Sequence, residues 1–395
     1  MGKTKKHLYE IDFMRACIIF GVLVVHVTSF YNTFEPNFTR RNLFYEGLLS
    51  SFHFTRESFM FITGIVLFIT YCRKDVFQSR SFWKKRFLLI AIPYIGWNTL
   101  YMLFMKSYVP GFTWSSFLPK LGMGLLTGNE FYMYFLVVSM QLYLFFPLML
   151  KAIKKIKKGH WWIFAGSFVL QLGLMAFNQY YLQNIPLSHV PVWIRWLDQY
   201  RDRFILTYQF WFVAGALLAV HYEQAKAFVV RHARMVFTIF LIMLALLLVH
   251  AGYDRMILRE SDGMTTLVLQ PIMVPYALMV TVVLWLVGIK WSEAREQNKK
   301  ISKVITFFGN ASFGIFLIQP FTLHYDDDFI YAYHMSLTAH LFLLPLSIVG
   351  VYLVSAALSW MIGKIPVLSY IVGKKVGIKR KRDYSGLLKG YSVIK

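Results

Sequence analysis

The sequence predicts an all-α protein, a polytopic membrane bundle of about ten transmembrane helices with both termini in the cytoplasm. Three observations carry that prediction. Of 395 residues, 57% are hydrophobic and 18% aromatic, and the mean hydropathy is +0.51, which is far from soluble-domain composition. Apolar runs of about 17 to 25 residues, long enough to cross a bilayer core as helix, recur along the whole chain. The net charge of +23 is sorted by segment. Basic clusters at 3–6, 73–86, 151–158, 226–234, 290–303 and 364–395 alternate with loops that hold most of the acids, as the positive-inside rule demands of an N-inside chain. A missed helix would invert every later loop and destroy that sorting. The charge therefore points to a lipid bilayer as partner, not to nucleic acid.

The first span, 11–31, carries Arg15 and His26 on one stripe with Asp12, Ile19 and Val22. At about 100° per residue their spacing closes nearly three turns, so Arg15 and His26 share a face about 16 Å apart along the axis. An ionisable side chain inside a span is costly and marks function or pairing. The run is too long for a signal-peptide core and reads as a retained span. The second span, 50–72, holds Arg56 and Glu57. If the chain enters it near Ser50, Glu57 lies about two turns deep, level with His26, where an acid can fix a histidine's tautomer and raise its basicity. The plainer reading pairs Glu57 with Arg56 or Arg15. Arg15, His26, Glu57 and Arg86 are expected to line one interior cavity.

The third span, 87–106, opens behind Lys84, Lys85 and Arg86. These cations suit a topology anchor, or an electrostatic seat for a phosphorylated cytosolic ligand. Pro93 should kink the helix just inside. Spans at 131–150, 161–177, 204–221, 236–252, 268–289, 304–323 and 338–362 complete the ten. The fifth and seventh are short, and Pro271 and Pro275 interrupt the eighth. An even count puts both termini on one side. Outer loops at 31–49, 107–130, 178–203, 253–267 and 324–337 carry Trp114, Trp193, Trp196 and charges of both signs. They read as an interfacial aromatic belt or as caps over a cavity. Cys17 and Cys72 are the only cysteines, too few for a disulfide framework. The basic tail from Gly363 should lie against the anionic inner leaflet.

In order along the chain, these residues resemble the integral-membrane acyltransferase-3 family. The similar pieces are Ile11-Asp12-Phe13-Met14-Arg15 with His26 downstream, and Glu57. Phe59 to Gly64 follows, with Thr63 where the family has Ser, and then Arg86 ahead of Pro93-Tyr94. Tyr134-Phe135-Leu136 with Gln141-Leu142-Tyr143 and Pro147, Phe212 to Ala216, and Ser312 to Pro320 complete the set. Leu89 and Ile90 stand where a second basic residue is frequent, Tyr134 where Trp is usual, and Gln319 where His is common. Gln hydrogen-bonds but does not shuttle protons near neutrality.

The resemblance covers nearly all of the chain. It implies an O-acyltransferase taking an acyl group, acetyl by default, from cytosolic acyl-CoA to a hydroxyl of a cell-surface carbohydrate or related acceptor. His26 and Glu57 would be catalytic, His26 as general base or acyl relay. Asp12, Arg15, Lys85, Arg86, Tyr134 and Gln319 would bind substrate. No metal and no permanently bound cofactor is expected. Residues 1–362 would form the transmembrane acyltransferase domain and 363–395 a basic cytoplasmic tail, in a bacterial plasma membrane. The rival is a transporter exporting a glycan or acylated product, which should show two related halves, and no internal repeat is evident. A catalytically weak scaffold of a polysaccharide synthesis complex is the third reading.

Overall fold

The computed structural model describes residues 7–374 apart from 73, 75, 107–112, 157, 187 and 189. The described residues contain helices and no strand. The first, α1 (Tyr9–Asn32), is central and packs on α3 (Thr55–Tyr71), α13 (Met273–Ala294), α14 (Lys299–Tyr333) and α15 (Leu337–Ile362). We call the end where α1 begins proximal and the other end distal. Around this group stand α4 (Ser79–Lys106), α6 (Tyr134–Lys155), α7 (His160–Phe177), α9 (Gln209–Val220) and α11 (Ala233–Met256). Among the described residues nine helices are long and apolar enough to cross a membrane. They become ten when the pair Val192–Arg203 and Ile205–Val220, bent by 44°, counts as one span. That pair is the expected sixth span.

Bundle-facing surfaces use small residues where backbones meet. A Cβ on Gly215 of α9 would stand 2.1 Å from the Phe61 carbonyl oxygen, and one on Gly64 of α3 2.6 Å from that of Phe212. Only glycines let α3 and α9 approach so closely, the usual device of helix association in lipid. The outer face is apolar and exposed: Trp161 and Trp162 of α7 and Val249 of α11 are each more than two-thirds exposed, as a lipid-facing surface requires.

Several expected boundaries are corrected. The second crossing begins at Arg40, not near Ser50: α2 (Arg40–Phe52) runs into α3 across the short break His53–Phe54. Its start is capped by the Thr39 side chain, which accepts from the Asn42 N–H. The segment reads as a loop in sequence because its polar residues hide its hydropathy. In the fold they bond inward. The buried Arg255 of α11 pairs with Glu46 at 3.0 Å and bonds the Asn42 side chain at 3.0 Å, and it also pairs with Asp262. Asn42 in turn donates to Asn32 of α1 at 3.0 Å. The expected loop 324–337 is likewise mostly helix, since α14 runs on to Tyr333. Past α15 the described chain stays packed. A 3₁₀ turn, Leu368–Val372, buries Ser369 and Val372, and the Ile371 carbonyl accepts from Trp97 Nε1 at 2.7 Å. The described residues just past α15 are thus packed against the bundle. The rest of the basic tail, and the cluster at 3–6, lie outside the described residues.

Candidate active site

His26 lies less than two turns from the distal end of α1 and faces a cavity of about 370 Å³. Its ring stacks on Tyr132, with centroids 3.8 Å apart and planes at 22°. Tyr132 sits in the short connection between α5 (Trp114–Thr127) and α6. That connection turns at Gly128, with φ +64°, which glycine adopts freely, and is strained at Phe131, with φ +45°. Phe131 is a non-glycine residue in the left-handed region, which costs about 1–3 kcal/mol and persists only where surrounding structure holds it. The strain places Phe131 and Tyr132 in the cavity wall beside His26.

More of the lining comes from the α2–α3 break and the first turn of α3. His53 and Arg56, three residues apart, both line the cavity, and Arg56 Nη1 donates to the Tyr134 hydroxyl at 2.9 Å. This is a charge-assisted contact, and it leaves the rest of the planar guanidinium fork for another partner. The proximal floor is aromatic: Phe59, Phe135 and Phe316 meet in ring contacts of 6.0 and 5.6 Å. The cavity therefore has two imidazoles, one guanidinium and two phenols set among apolar walls. That is a set able to take a proton from a hydroxyl and to donate to an oxygen that gains charge.

A second, wholly proximal group holds Arg15 and Arg86. Arg15 lies within charge–charge reach of Asp12, Tyr143 and Arg86. The Arg86 guanidinium stands 5.7 Å from the Tyr143 ring centroid, and its Nε is buried without a hydrogen-bond partner. A buried donor left unmade is costly, about 1–3 kcal/mol, so Arg86 is set for an anionic group. The Asp12 carboxylate accepts from His7 Nε2 at 2.6 Å. Lys85 is exposed at the mouth.

The expected single cavity is thus divided. His26 and Tyr134 share the distal cavity, and Arg15 and Arg86 share the proximal group. Glu57 joins neither wall. It is buried, with Oε2 unpartnered, within charge–charge reach of Arg56, and no acid bonds His26 among the described residues. The reason is register. Asn32 meets Asn42, and a Cβ on Gly21 would touch Thr55 at 2.9 Å. These antiparallel pairs put Glu57 opposite Ile18–Ile19, about two turns proximal of His26. Gln319 is fully buried, and neither end of its amide finds a partner. The reading by sequence passed over His53, Arg56 and Tyr132. The first two were findable, because i,i+3 spacing puts them on one helical face. Tyr132 was not, since its place depends on a strained turn.

The sequence profile of the family described as an acyltransferase domain, the acyltransferase-3 group, matches residues 8–364. No curated protein and no solved structure matches the chain.

Proposed function

Because the chain belongs to the acyltransferase-3 family, a multi-pass membrane acyltransferase group, we propose that it moves an acyl group, acetyl by default, from acyl-CoA at the proximal, cytoplasmic end to a hydroxyl of a cell-surface carbohydrate at the distal end. The observation that carries this reading is the separation of the two groups along α1. A cationic pair with an unmade donor stands at one end, and an imidazole beside a guanidinium and a phenol stands about 16 Å further on. Arg15 and Arg86 hold the donor's phosphates, with Asp12 and Lys85 at the margin of that seat. The acyl arm passes the aromatic floor to reach His26.

There the imidazole takes the acceptor's hydroxyl proton as its oxygen forms a bond to the thioester carbonyl carbon. The C–S bond then breaks, and the thiolate leaves and regains a proton as CoA. Arg56 and Tyr134 donate to the carbonyl oxygen while it carries negative charge. Glu57 balances the Arg56 charge and holds it in place. Gln319 offers its unmade amide to an acyl or acceptor oxygen near the floor. The plasma membrane of a bacterium fits this chemistry, with acyl-CoA inside and glycan outside.

The test uses the purified protein in lipid nanodiscs, labelled acetyl-CoA and envelope polysaccharide as acceptor. Wild-type protein should form labelled ester on the glycan. Arg86→Ala should raise the acyl-CoA KM by about tenfold or more, the worth of one charge-assisted hydrogen bond, with a smaller change at saturating donor. An unchanged KM would remove Arg86 from the donor seat. Absence of labelled ester with wild-type protein would remove the donor and acceptor assigned here.

A further inference from the structure

A second cavity, of about 310 Å³, opens distal to the first and shares Arg56 and Val268 with it. Its walls are polar: Asp198, Arg201, Asp202 and Arg203 from the end of α8 (Val192–Tyr200) and the 3₁₀ turn after it, with the 263–269 segment opposite. Resting on the acyltransferase reading above, we propose that this vestibule binds the acceptor as a neutral polyhydroxyl unit, a sugar residue of a glycan, and presents one hydroxyl past Arg56 to His26.

Three features select that class. Charges of both signs line the vestibule, in contrast with the cationic donor seat. A phosphate-rich ligand would face two carboxylates, whereas a sugar hydroxyl can donate to a carboxylate and accept from a guanidinium at once. The polar groups are also held in position. Arg201 Nη1 bonds Asp198 at 2.6 Å, and Arg203 bonds the Asn129 side chain at 2.5 Å and the Thr127 carbonyl. Asp202, by contrast, has only a long 3.4 Å contact from Arg203, so its carboxylate keeps acceptor capacity. The volume sits at the lower end of the range for small-molecule sites, about 300–1,000 Å³, room for a sugar unit at a chain end or along a strand. Arg56 joins the two chambers: it reaches Tyr134 in the inner one and borders the outer one.

The closing experiment titrates deproteinised envelope polysaccharide of the producing cells against the protein in nanodiscs, with labelled acetyl-CoA held saturating. Asp202→Asn removes the open carboxylate. Gly263→Phe fills the vestibule sterically, because a Cβ there meets nothing within 4 Å. Both should raise the acceptor concentration for half-maximal transfer by at least tenfold, and Asp202→Asn should keep the wild-type acyl-CoA KM. Wild-type acceptor dependence in both variants would overturn the vestibule and leave the acyltransfer reading intact. Label that reaches only lipid or protein, never sugar, would overturn this ligand class together with the carbohydrate acceptor proposed above, while acyl transfer itself would stand. A wild-type protein that transfers no label at all defeats the underlying reading instead, and the two failures are thus separate.

Discussion

At the scale of single residues, the site joins one side chain that is conspicuous in the sequence, His26, to others that are not, His53, Arg56 and Tyr132. His26 stood out because an imidazole in an apolar run is rare, and the fold puts it in a cavity wall. Glu57 stood out for the same reason, yet its depth follows from where its helix begins, which hydropathy placed wrongly. Arg56, its neighbour, which the sequence offers as an ion-pair partner for Glu57, lines the cavity. Its bond to Tyr134 yields a direct prediction. Tyr134→Phe keeps the ring and removes the hydroxyl that accepts from Arg56 Nη1. A hydrogen bond to a charged group is worth about 1.5–3 kcal/mol, so kcat should fall by about tenfold or more while the acyl-CoA KM changes little. Steady-state transfer assays decide this, and a variant with wild-type kcat would take Arg56 and Tyr134 out of the reacting centre.

Single elements were legible where the apolar period was long and clean. α1, α13 and α15 lie close to their expected spans. α2 was missed because Asn42 and Glu46 face inward to Arg255 and Asn32 instead of to water, so polarity marks an internal network there, not a loop. The α3–α9 contact was invisible for a different reason, since glycine pairs acquire meaning only once two helices are known to cross. Gly215→Leu would drive a Cβ to within 2.1 Å of the Phe61 carbonyl oxygen. Overpacking costs typically about 1–3 kcal/mol, and a backbone clash cannot be relieved by a rotamer change, so the variant should unfold at lower temperature in detergent than wild type. An unchanged melting curve would show that α3 and α9 do not meet at these glycines.

Over the whole molecule, composition and charge sorting sufficed for a helical bundle of about ten crossings, and the ordered motifs sufficed for the family. The division of the candidate site into a proximal cationic group and two distal chambers was not legible, because it follows from helix register and from the loop segment carrying Tyr132. That division is the basis of the two-sided mechanism we propose, with the donor at one end, the acceptor at the other and His26 between. The most direct test uses sealed inside-out membrane vesicles with labelled acetyl-CoA supplied to their outer, cytoplasmic face, and follows label into glycan. Wild-type vesicles should transfer label, and His26→Ala vesicles with equal protein content should do so about 10²- to 10⁴-fold more slowly, the usual contribution of general acid–base catalysis. Transfer at the wild-type rate by His26→Ala would contradict the account.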